Sequence, residues 1–366
     1  MWLQLLLILI AFILYILNAK NDNKITRHRY VNFLIILLVI QSGLRHLAVG
    51  ADTYAYFLSF EDVQKSPWSY VFNKFYDVYV LHEGKDAGYD FLVKVFSSII
   101  PSFRWFLIAI SIGFFWPLYR LIEKELSSLR DLFFSFVIYE ALFYSFFSIT
   151  GLRQTIATTA TIIGISCIRQ RKLFPFLVVI LIASFIHKSV LVFLPFYFIA
   201  NIKFSKKILL SSLIVMPLLF PYARIIAGFL ITISGSDNYM SYLDSDSSTS
   251  GAQNFAVFMV LTAALVLISK KNTQNEVPNF VVNAMSLAIL FIPLTWVDPS
   301  LMRIVQYFSL FLIIALPVAI NNISKNSTLK YALYIGLISS LIFVIIRRSS
   351  EYAFFWDEMM LGNNYL

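Results

Sequence analysis

Apolar segments long enough to cross a bilayer follow one another along this sequence, and they constrain its fold more than any other feature. A transmembrane helix needs about 20 predominantly apolar residues, roughly 17–25. The chain has 366 residues, of which 59% are hydrophobic and 13% are charged, and this composition is typical of a polytopic membrane protein. The sequence therefore predicts an all-α integral membrane protein whose residues 1–366 form a single membrane domain.

The length criterion predicts about twelve transmembrane helices. They are expected at 2–18, 30–47, 104–121, 131–149, 152–168, 173–186, 188–200, 208–220, 254–269, 278–295, 303–320 and 330–346. Basic residues follow the first, fifth and seventh of these segments: Lys20, Lys24, Arg27, Arg29, Arg169, Arg171, Lys172, Lys203, Lys206 and Lys207. The positive-inside rule assigns these loops to the cytoplasm, so we expect both termini to lie outside, with the first helix as a retained anchor.

Two longer segments are then expected on the outer face of the membrane. In 45–103, stretches such as WSYVFNKFYDVYV are amphipathic, which favours helices that lie in the membrane interface. In 221–253, the polar and glycine-flanked stretch GSDNYMSYLDSDSSTSG predicts a loop. Because long polar loops at active sites often gate them, this loop is a candidate lid.

One arginine stands alone inside an apolar run. The stretch FYSFFSITGLRQTIATTATIIG carries Arg153 as its single cation, and no Asp or Glu lies between Glu140 and Arg169. An ionisable residue in such a segment indicates a functional site by default. Arg45 is preceded by a similar Ser-Gly-Leu where Arg153 has Thr-Gly-Leu.

Four cations are expected at the outer face, where the positive-inside rule gives no reason for them. They are Arg153, Arg303, Arg45 and Lys188. Guanidinium groups offer a planar fork of donors that matches phosphate oxygens in pairs, so these residues are candidate ligands of a diphosphate. The alternative is that each side chain only reaches from the helix end to the membrane interface.

Other chemistries have little support in the sequence. The aspartates are scattered, without metal-ligand spacing, so no metal and no cofactor is expected. Phosphate-binding glycine loops and the common hydrolase motifs are absent from the sequence. The net charge of +9 is explained by basic loops, and no nucleic-acid partner is expected.

Candidates for the remaining roles lie near these cations. The predicted helices on either side of His187 are short, which would place this residue in a cavity open to the outside; its ordinary pKa of about 6.5 suits a general base. Asp52 is a competing base, and Asp298 is a weaker candidate. Aromatic side chains able to stack on sugar rings are Tyr54, Tyr89 and Trp296, together with Tyr56 and Trp68.

The order of these motifs resembles the EpsG-like branch of the Wzy polysaccharide polymerases. Arg45 is followed by GADTYAY, and then come EGKDAGYDFLVKV, GLRQTIA, FIHKSVLVFLP and RIVQYF. The resemblance covers most of the chain. GLRQ with HKS about 35 residues later is its most specific part.

The resemblance implies an integral membrane glycosyltransferase with an architecture similar to the GT-C class. It implies transfer of a growing glycan from undecaprenyl diphosphate to a lipid-linked repeat unit, at the periplasmic face of a bacterial inner membrane and without a metal. The expected partners are the undecaprenyl-diphosphate-linked oligosaccharide and membrane lipid, with a chain-length regulator as a candidate protein partner. No agreed catalytic base is carried over, so His187 and Asp52 rest on the residues alone.

Two alternatives from other classes stay open. An O-antigen ligase-type transferase would need the same diphosphate site and a different acceptor. A flippase for the lipid-linked oligosaccharide would be a transporter, and transporters usually carry repeated halves with charges near the midplane. Here the candidate charges are expected at one face.

Overall fold

The computed structural model describes residues 2–234, 250–270, 276–324, 326–348 and 351–358. These residues form helices and connecting segments, with no β-strand among them. Five helices are long and apolar enough to cross a membrane, and a sixth span results if one bent pair counts as a single crossing. The prediction of an all-helical, multi-pass membrane protein is therefore confirmed, whereas the count of about twelve spans stays a prediction.

The candidate spans are distributed along the whole chain. They are Trp2–Asn21, Phe103–Glu125, Ser205–Leu230, Asn279–Trp296 and Ser327–Arg347, with Pro299–Ser309 and Leu312–Ile323 as the bent pair. Shorter apolar helices occur at Leu173–Ile186, Lys188–Ile199 and Gln253–Ile268.

The chain divides into two compact units. Unit 1 comprises Met1–Ile163, Phe185–His187 and Ile338–Leu366, and unit 2 comprises Gly164–Ser184 and Lys188–Leu337. The helices of the first half are α1 (Trp2–Asn18), α2 (Lys24–Gly43), α3 (Thr53–Lys65), α4 (Trp68–Tyr79), α5 (Ala87–Ile99), α6 (Phe103–Glu125), α7 (Leu129–Leu142), α8 (Tyr144–Phe147) and α9 (Leu152–Arg169). In unit 1, α2 packs along α6, α1 along α7, and α5 against both α3 and α4.

The second half continues with shorter helices. They are α10 (Leu173–Ile186), α11 (Phe196–Ile199), α12 (Ser205–Leu219), α13 (Ala223–Ser234), α14 (Ser250–Ile268), α15 (Asn279–Phe291), α16 (Met302–Ser309), α17 (Leu312–Ile323) and α18 (Ser327–Arg347). In unit 2, α15 packs against α12 and α16, and α14 packs against α17.

The segment predicted to carry amphipathic helices contains three helices, α3, α4 and α5. A buried cluster that includes Phe60, Val71, Tyr89, Phe106 and Leu152 joins them to α6 and to the start of α9. Hydrophobic burial in this cluster therefore holds the segment after Arg45 against the helix that carries Arg153.

Two predicted helices are interrupted. The predicted helix at 188–200 is a 3₁₀ turn over Lys188–Phe193 followed by α11, because Pro195 lacks a backbone N–H and cannot continue an α-helix from the preceding turn. The predicted helix at 131–149 ends at Leu142 and resumes as α8. Within the candidate lid 221–253, residues 235–249 lie outside the described residues, and the flanks belong to α13 and α14.

Candidate functional site

The two loops that carry Arg45 and Arg153 are bound directly to each other in unit 1. The Ser42 hydroxyl donates to the Ser148 carbonyl oxygen at 2.8 Å, and the Thr53 hydroxyl donates to the Ile149 carbonyl oxygen at 3.1 Å. Backbone carbonyls that are not used within a helix are thereby satisfied. The similar tripeptides before the two arginines thus lie at neighbouring helix ends.

Gly50 is required where these loops meet. Its backbone φ is +89°, a value that residues with a side chain rarely adopt. A Cβ atom at this position would lie 1.7 Å from the Ile149 carbonyl oxygen. Only glycine accepts both the positive φ and this close approach. The glycine of the GADTYAY motif therefore allows the loop after Arg45 to contact the turn before Arg153.

Arg45 is almost completely buried, at 3% exposure. Its Nε donates to the Thr53 hydroxyl at 3.1 Å, its Nη1 donates to the Ser42 carbonyl oxygen, and its Nη2 has no hydrogen-bond partner among the described residues. An unsatisfied donor on a buried cation is costly, which indicates a position prepared for an anion.

Arg153 has a partner that is distant in sequence. Its Nη1 donates to Asp86 Oδ2 at 2.6 Å, and Asp86 is 4% exposed. The guanidinium carbon lies 5.5 Å from the ring centroid of Tyr56 and 5.1 Å from that of Tyr89, within the range of cation–π attraction. Nε of Arg153 is buried and has no hydrogen-bond partner among the described residues.

Tyr56 and Tyr89 form an aromatic pair beside Arg153. Their rings are 5.5 Å apart. Burial raises the pKa of the Tyr89 phenol well above its ordinary value, so this phenol stays neutral beside the cation. Arg45 is connected to the Arg153 loop through Thr53, whose hydroxyl accepts a hydrogen bond from Arg45 Nε and donates one to the Ile149 carbonyl oxygen.

The segment after α18 reinforces the Arg45 loop. The backbone N–H of His46 donates to the Ala353 carbonyl at 2.9 Å, and that of Phe355 donates to the Leu44 carbonyl at 3.0 Å. The Tyr352 hydroxyl donates to the Gln41 carbonyl at 2.6 Å, and the Arg104 guanidinium lies 3.3 Å from the Phe355 ring centroid. Residues 352–355 thus form a strap over the end of α2.

The two residues before His187, Phe185 and Ile186, pack against the helix that follows Asp86. Gly88 sits directly against Phe185, where a Cβ atom would be 2.6 Å from the Phe185 Cβ and 2.7 Å from its carbonyl carbon. Ile186 packs against the cluster that contains Tyr89 and Leu152. His187 is itself 5% exposed. The turn that carries the predicted base therefore belongs to the same unit as Arg45 and Arg153.

The other predicted residues have distinct positions. Asp52 directly precedes Thr53, which binds Arg45, and it is half-buried, as is Tyr54. Tyr89 is fully buried. Their roles as base and as sugar-stacking residues stay predictions.

Four further candidates belong to unit 2. Lys188 begins the 3₁₀ turn before α11, and Arg303 lies in the first turn of α16. Trp296 packs edge-on against Phe220 at 5.3 Å between ring centroids. Asp298 accepts a hydrogen bond from the Ser300 N–H at 2.7 Å, which is the geometry of a helix-start cap and gives this carboxylate a structural role.

Asp86 is the functional candidate that the sequence did not single out. The sequence close to Arg153 contains no carboxylate, and Asp86 is one of several aspartates scattered along the chain. The one sequence feature that could have identified Asp86 is its position inside EGKDAGYDFLVKV, a stretch that carries the family resemblance. Among the described residues, no group of three or more His, Cys, Asp or Glu side chains has the arrangement of a metal site.

One known protein family matches nearly the whole chain. The model of the EpsG family matches residues 28–359, a range that contains both arginine loops, the Asp86 segment, His187 and the strap. The chain belongs to the EpsG family. The match extends over unit 1 and unit 2 of this EpsG-family protein.

Two further comparisons returned no match to this EpsG-family protein, neither among curated proteins nor among solved structures. The family itself indicates a polysaccharide polymerase of the glycosyltransferase type.

Proposed function

We propose that this EpsG-family protein polymerises a polysaccharide by transferring a growing glycan from undecaprenyl diphosphate to a lipid-linked repeat unit. The observation that carries the proposal is the hydrogen-bonded contact between the Arg45 loop and the Arg153 loop through Thr53 and Ile149, with a buried N–H on each guanidinium that lacks a partner among the described residues. Arginine forks offer the paired donors that bind phosphate oxygens.

The proposed chemistry is a displacement at the anomeric carbon. A hydroxyl of the acceptor attacks that carbon, the bond between the sugar and the diphosphate breaks, and undecaprenyl diphosphate leaves with the electron pair. Negative charge therefore grows on the diphosphate, and fixed donors aimed at a developing charge are among the strongest catalytic devices. Arg45 and Arg153 supply these donors, and the diphosphate-binding roles of Arg303 and Lys188 stay predictions from the sequence.

The acceptor hydroxyl must lose a proton in this reaction. We assign the proton to His187, with Asp52 as the competing base. His187 is favoured because the turn before it packs against Gly88 and Tyr89, whereas Asp52 is favoured only by its position beside Thr53. Tyr54, Tyr89 and Trp296 remain candidates for contact with sugar rings.

The proposal includes a location and an architecture. The arginine loops face the periplasm if the basic loops face the cytoplasm. In that orientation, α3, α4 and α5 lie at the interface between the inner membrane and the periplasm. The GT-C-like arrangement and about twelve spans belong to the same proposal, as does a protein partner that regulates chain length. The reaction is proposed to proceed without a metal ion or a cofactor.

The test is a reaction with defined components. Purified full-length protein is incubated in vesicles with undecaprenyl-diphosphate-linked repeat units, and the lipid-linked products are separated by length. Products longer than one repeat support the proposal. Transfer to an added lipid A core without polymer would indicate a ligase, and movement of the lipid-linked unit across the vesicle membrane without bond formation would indicate a flippase; either result would contradict the proposal.

A further inference from the structure

A cavity in unit 2 is separate from the residues assigned to the diphosphate. Its volume is about 550 Å³, which lies within the range of about 300–1,000 Å³ typical of ligand sites. Among the described residues, four lysines and one carboxylate line it: Lys203, Lys206, Lys207, Lys270 and Glu276. The described part of the lining therefore carries an excess of positive charge.

The polar groups between these lysines are hydrogen-bonded to one another. Lys206 Nζ donates to the Ser269 carbonyl oxygen at 2.6 Å, and the Lys270 backbone N–H donates to the Asn322 carbonyl oxygen at 2.8 Å. The Ser205 hydroxyl donates to Asn279 Oδ1 at 2.8 Å. The carbonyl oxygens of Ser269 and Asn322, at the ends of α14 and α17, are thus hydrogen-bonded to groups of residues that line the cavity.

Two helices begin at this cavity. Ser205 is the first residue of α12 and Asn279 is the first residue of α15. The N-terminus of a helix carries a partial positive charge and free N–H groups. The ends of α14 and α17 lie at the same cavity and carry the opposite partial charge, so the lysines, and not the helix termini, set the positive field.

Three of the lysines, Lys203, Lys207 and Lys270, form no ion pair with the residues that the structure describes, although Glu276 lines the same cavity. The positive-inside rule explains why basic residues occur in a loop. The rule does not explain why these lysines surround a cavity in which the Ser205 and Asn279 side chains are hydrogen-bonded to each other.

The level of the cavity along the helices indicates the kind of ligand. The candidate spans Ser205–Leu230 and Asn279–Trp296 both begin at residues that line it. It therefore lies where apolar helix surface begins, which is the level of phospholipid headgroups in a bilayer. Basic pockets between transmembrane helices are suited to anionic headgroups.

We propose that this cavity binds the phosphate group of an anionic ligand, with the headgroup of an acidic membrane phospholipid as the ligand that its level favours. A free phosphate would use the same chemistry. The site is independent of the proposed polymerase reaction, since none of its lining residues is assigned to the diphosphate or to the base.

The test measures binding of phosphatidylglycerol to the purified full-length protein in neutral detergent by native mass spectrometry. The variant Lys203→Gln/Lys207→Gln/Lys270→Gln should bind it about a hundredfold more weakly than the wild type, from the usual contribution of a lysine near an anionic lipid. Arginine at the same three positions should restore binding. The matched control is Lys20→Gln/Lys24→Gln/Lys124→Gln, which removes three exposed lysines outside the cavity.

Thermal unfolding without lipid checks that the glutamine variant is folded. If it is not folded, the test rests on lipid binding by the arginine variant and on the melting temperature of the wild type. Phosphatidylglycerol should raise that melting temperature, and no increase would count against the site. Inorganic phosphate separates the two sources: stabilisation of the wild type by phosphate alone identifies a free phosphate, and stabilisation by phosphatidylglycerol alone identifies a lipid. Equal lipid binding by the wild type and the glutamine variant, or an equal loss in the control, would overturn the proposal.

Discussion

Arg153 and Asp86 are joined by an ion pair of 2.6 Å between Nη1 and Oδ2, although 67 positions separate them in the chain. The pair resolves why a lone arginine is tolerated in an apolar run, because a buried cation needs a counterion. It also leaves Nε of Arg153 without a partner among the described residues. Asp86 can therefore hold the guanidinium while another edge of it receives a ligand.

The first prediction concerns the geometry of Arg153. Lysine keeps the charge and loses the planar fork, so Arg153→Lys should be nearly as inactive as Arg153→Ala. Loss of a preorganised donor lowers the rate by about 10²–10³-fold. The measurement is the length of the polymer ladder in a deletion strain, normalised to the amount of protein in the membrane.

The same pair of substitutions at Arg303 tests the second arginine candidate. A side chain that only reaches the membrane interface would be replaced by lysine without loss. Full-length polymer from Arg153→Lys at normal abundance would therefore exclude the paired diphosphate role of Arg153.

The second prediction concerns the counterion. Asp86→Asn removes the charge that faces Arg153, and the free energy of unfolding should fall by about 2 kcal/mol, as for other hydrogen bonds to charged groups. Thermal unfolding of the purified protein in detergent measures this loss. Asp62→Asn is the matched control, because Asp62 is exposed on α3 and its replacement should leave stability unchanged. Equal stability of the two variants would argue against the ion pair.

The third prediction concerns the contact between the arginine loops. Gly50→Ala places a Cβ atom on the Ile149 carbonyl at a positive φ, so both folding yield and polymer formation should fall. Gly113→Ala is the control, since a Cβ atom at Gly113 meets nothing within 4 Å and alanine favours the interior of α6 by about 0.5–1 kcal/mol. Expression level and melting temperature distinguish the two. A Gly50→Ala protein as stable as Gly113→Ala would show that the loops do not require this contact.

The fourth prediction concerns the strap. Tyr352→Phe removes the hydrogen bond to the Gln41 carbonyl, which should lower the free energy of unfolding by about 1 kcal/mol. Tyr222→Phe serves as the control, because Tyr222 is 59% exposed. Polymer length should decrease for Tyr352→Phe, since the strap supports the loop that carries Arg45. No difference between the two variants in either measurement would remove the strap from the site.

The fifth prediction concerns orientation. In a Cys167→Ser background, Lys65→Cys should react with a membrane-impermeant thiol reagent added outside, and Lys124→Cys should not, because the basic loops predict opposite sides for these exposed positions. Detergent permeabilisation should make both positions reactive. The reverse pattern would place the arginine loops in the cytoplasm and contradict the proposed periplasmic reaction.

The sequence by itself determined the class of fold and the family. Runs of apolar residues specify helices in a membrane because every backbone polar group there must be satisfied within the helix. Arg45, Arg153 and His187 were also identifiable, since a charged or titratable residue stands out in an apolar segment. The helical breaks at 143 and near Pro195 were less evident, because hydrophobicity alone does not show where a helix is interrupted.

Only the tertiary structure decided which of these residues meet. Asp86, Tyr56 and the 352–355 strap contact the arginines across long separations in sequence, and no local pattern encodes such contacts. They arise because burying a guanidinium without a counterion or hydrogen-bond acceptors is unfavourable. The packing of the helices determines which residues supply these partners. The spacing of residues along a helix determines its faces, whereas the packing of several helices together determines the site.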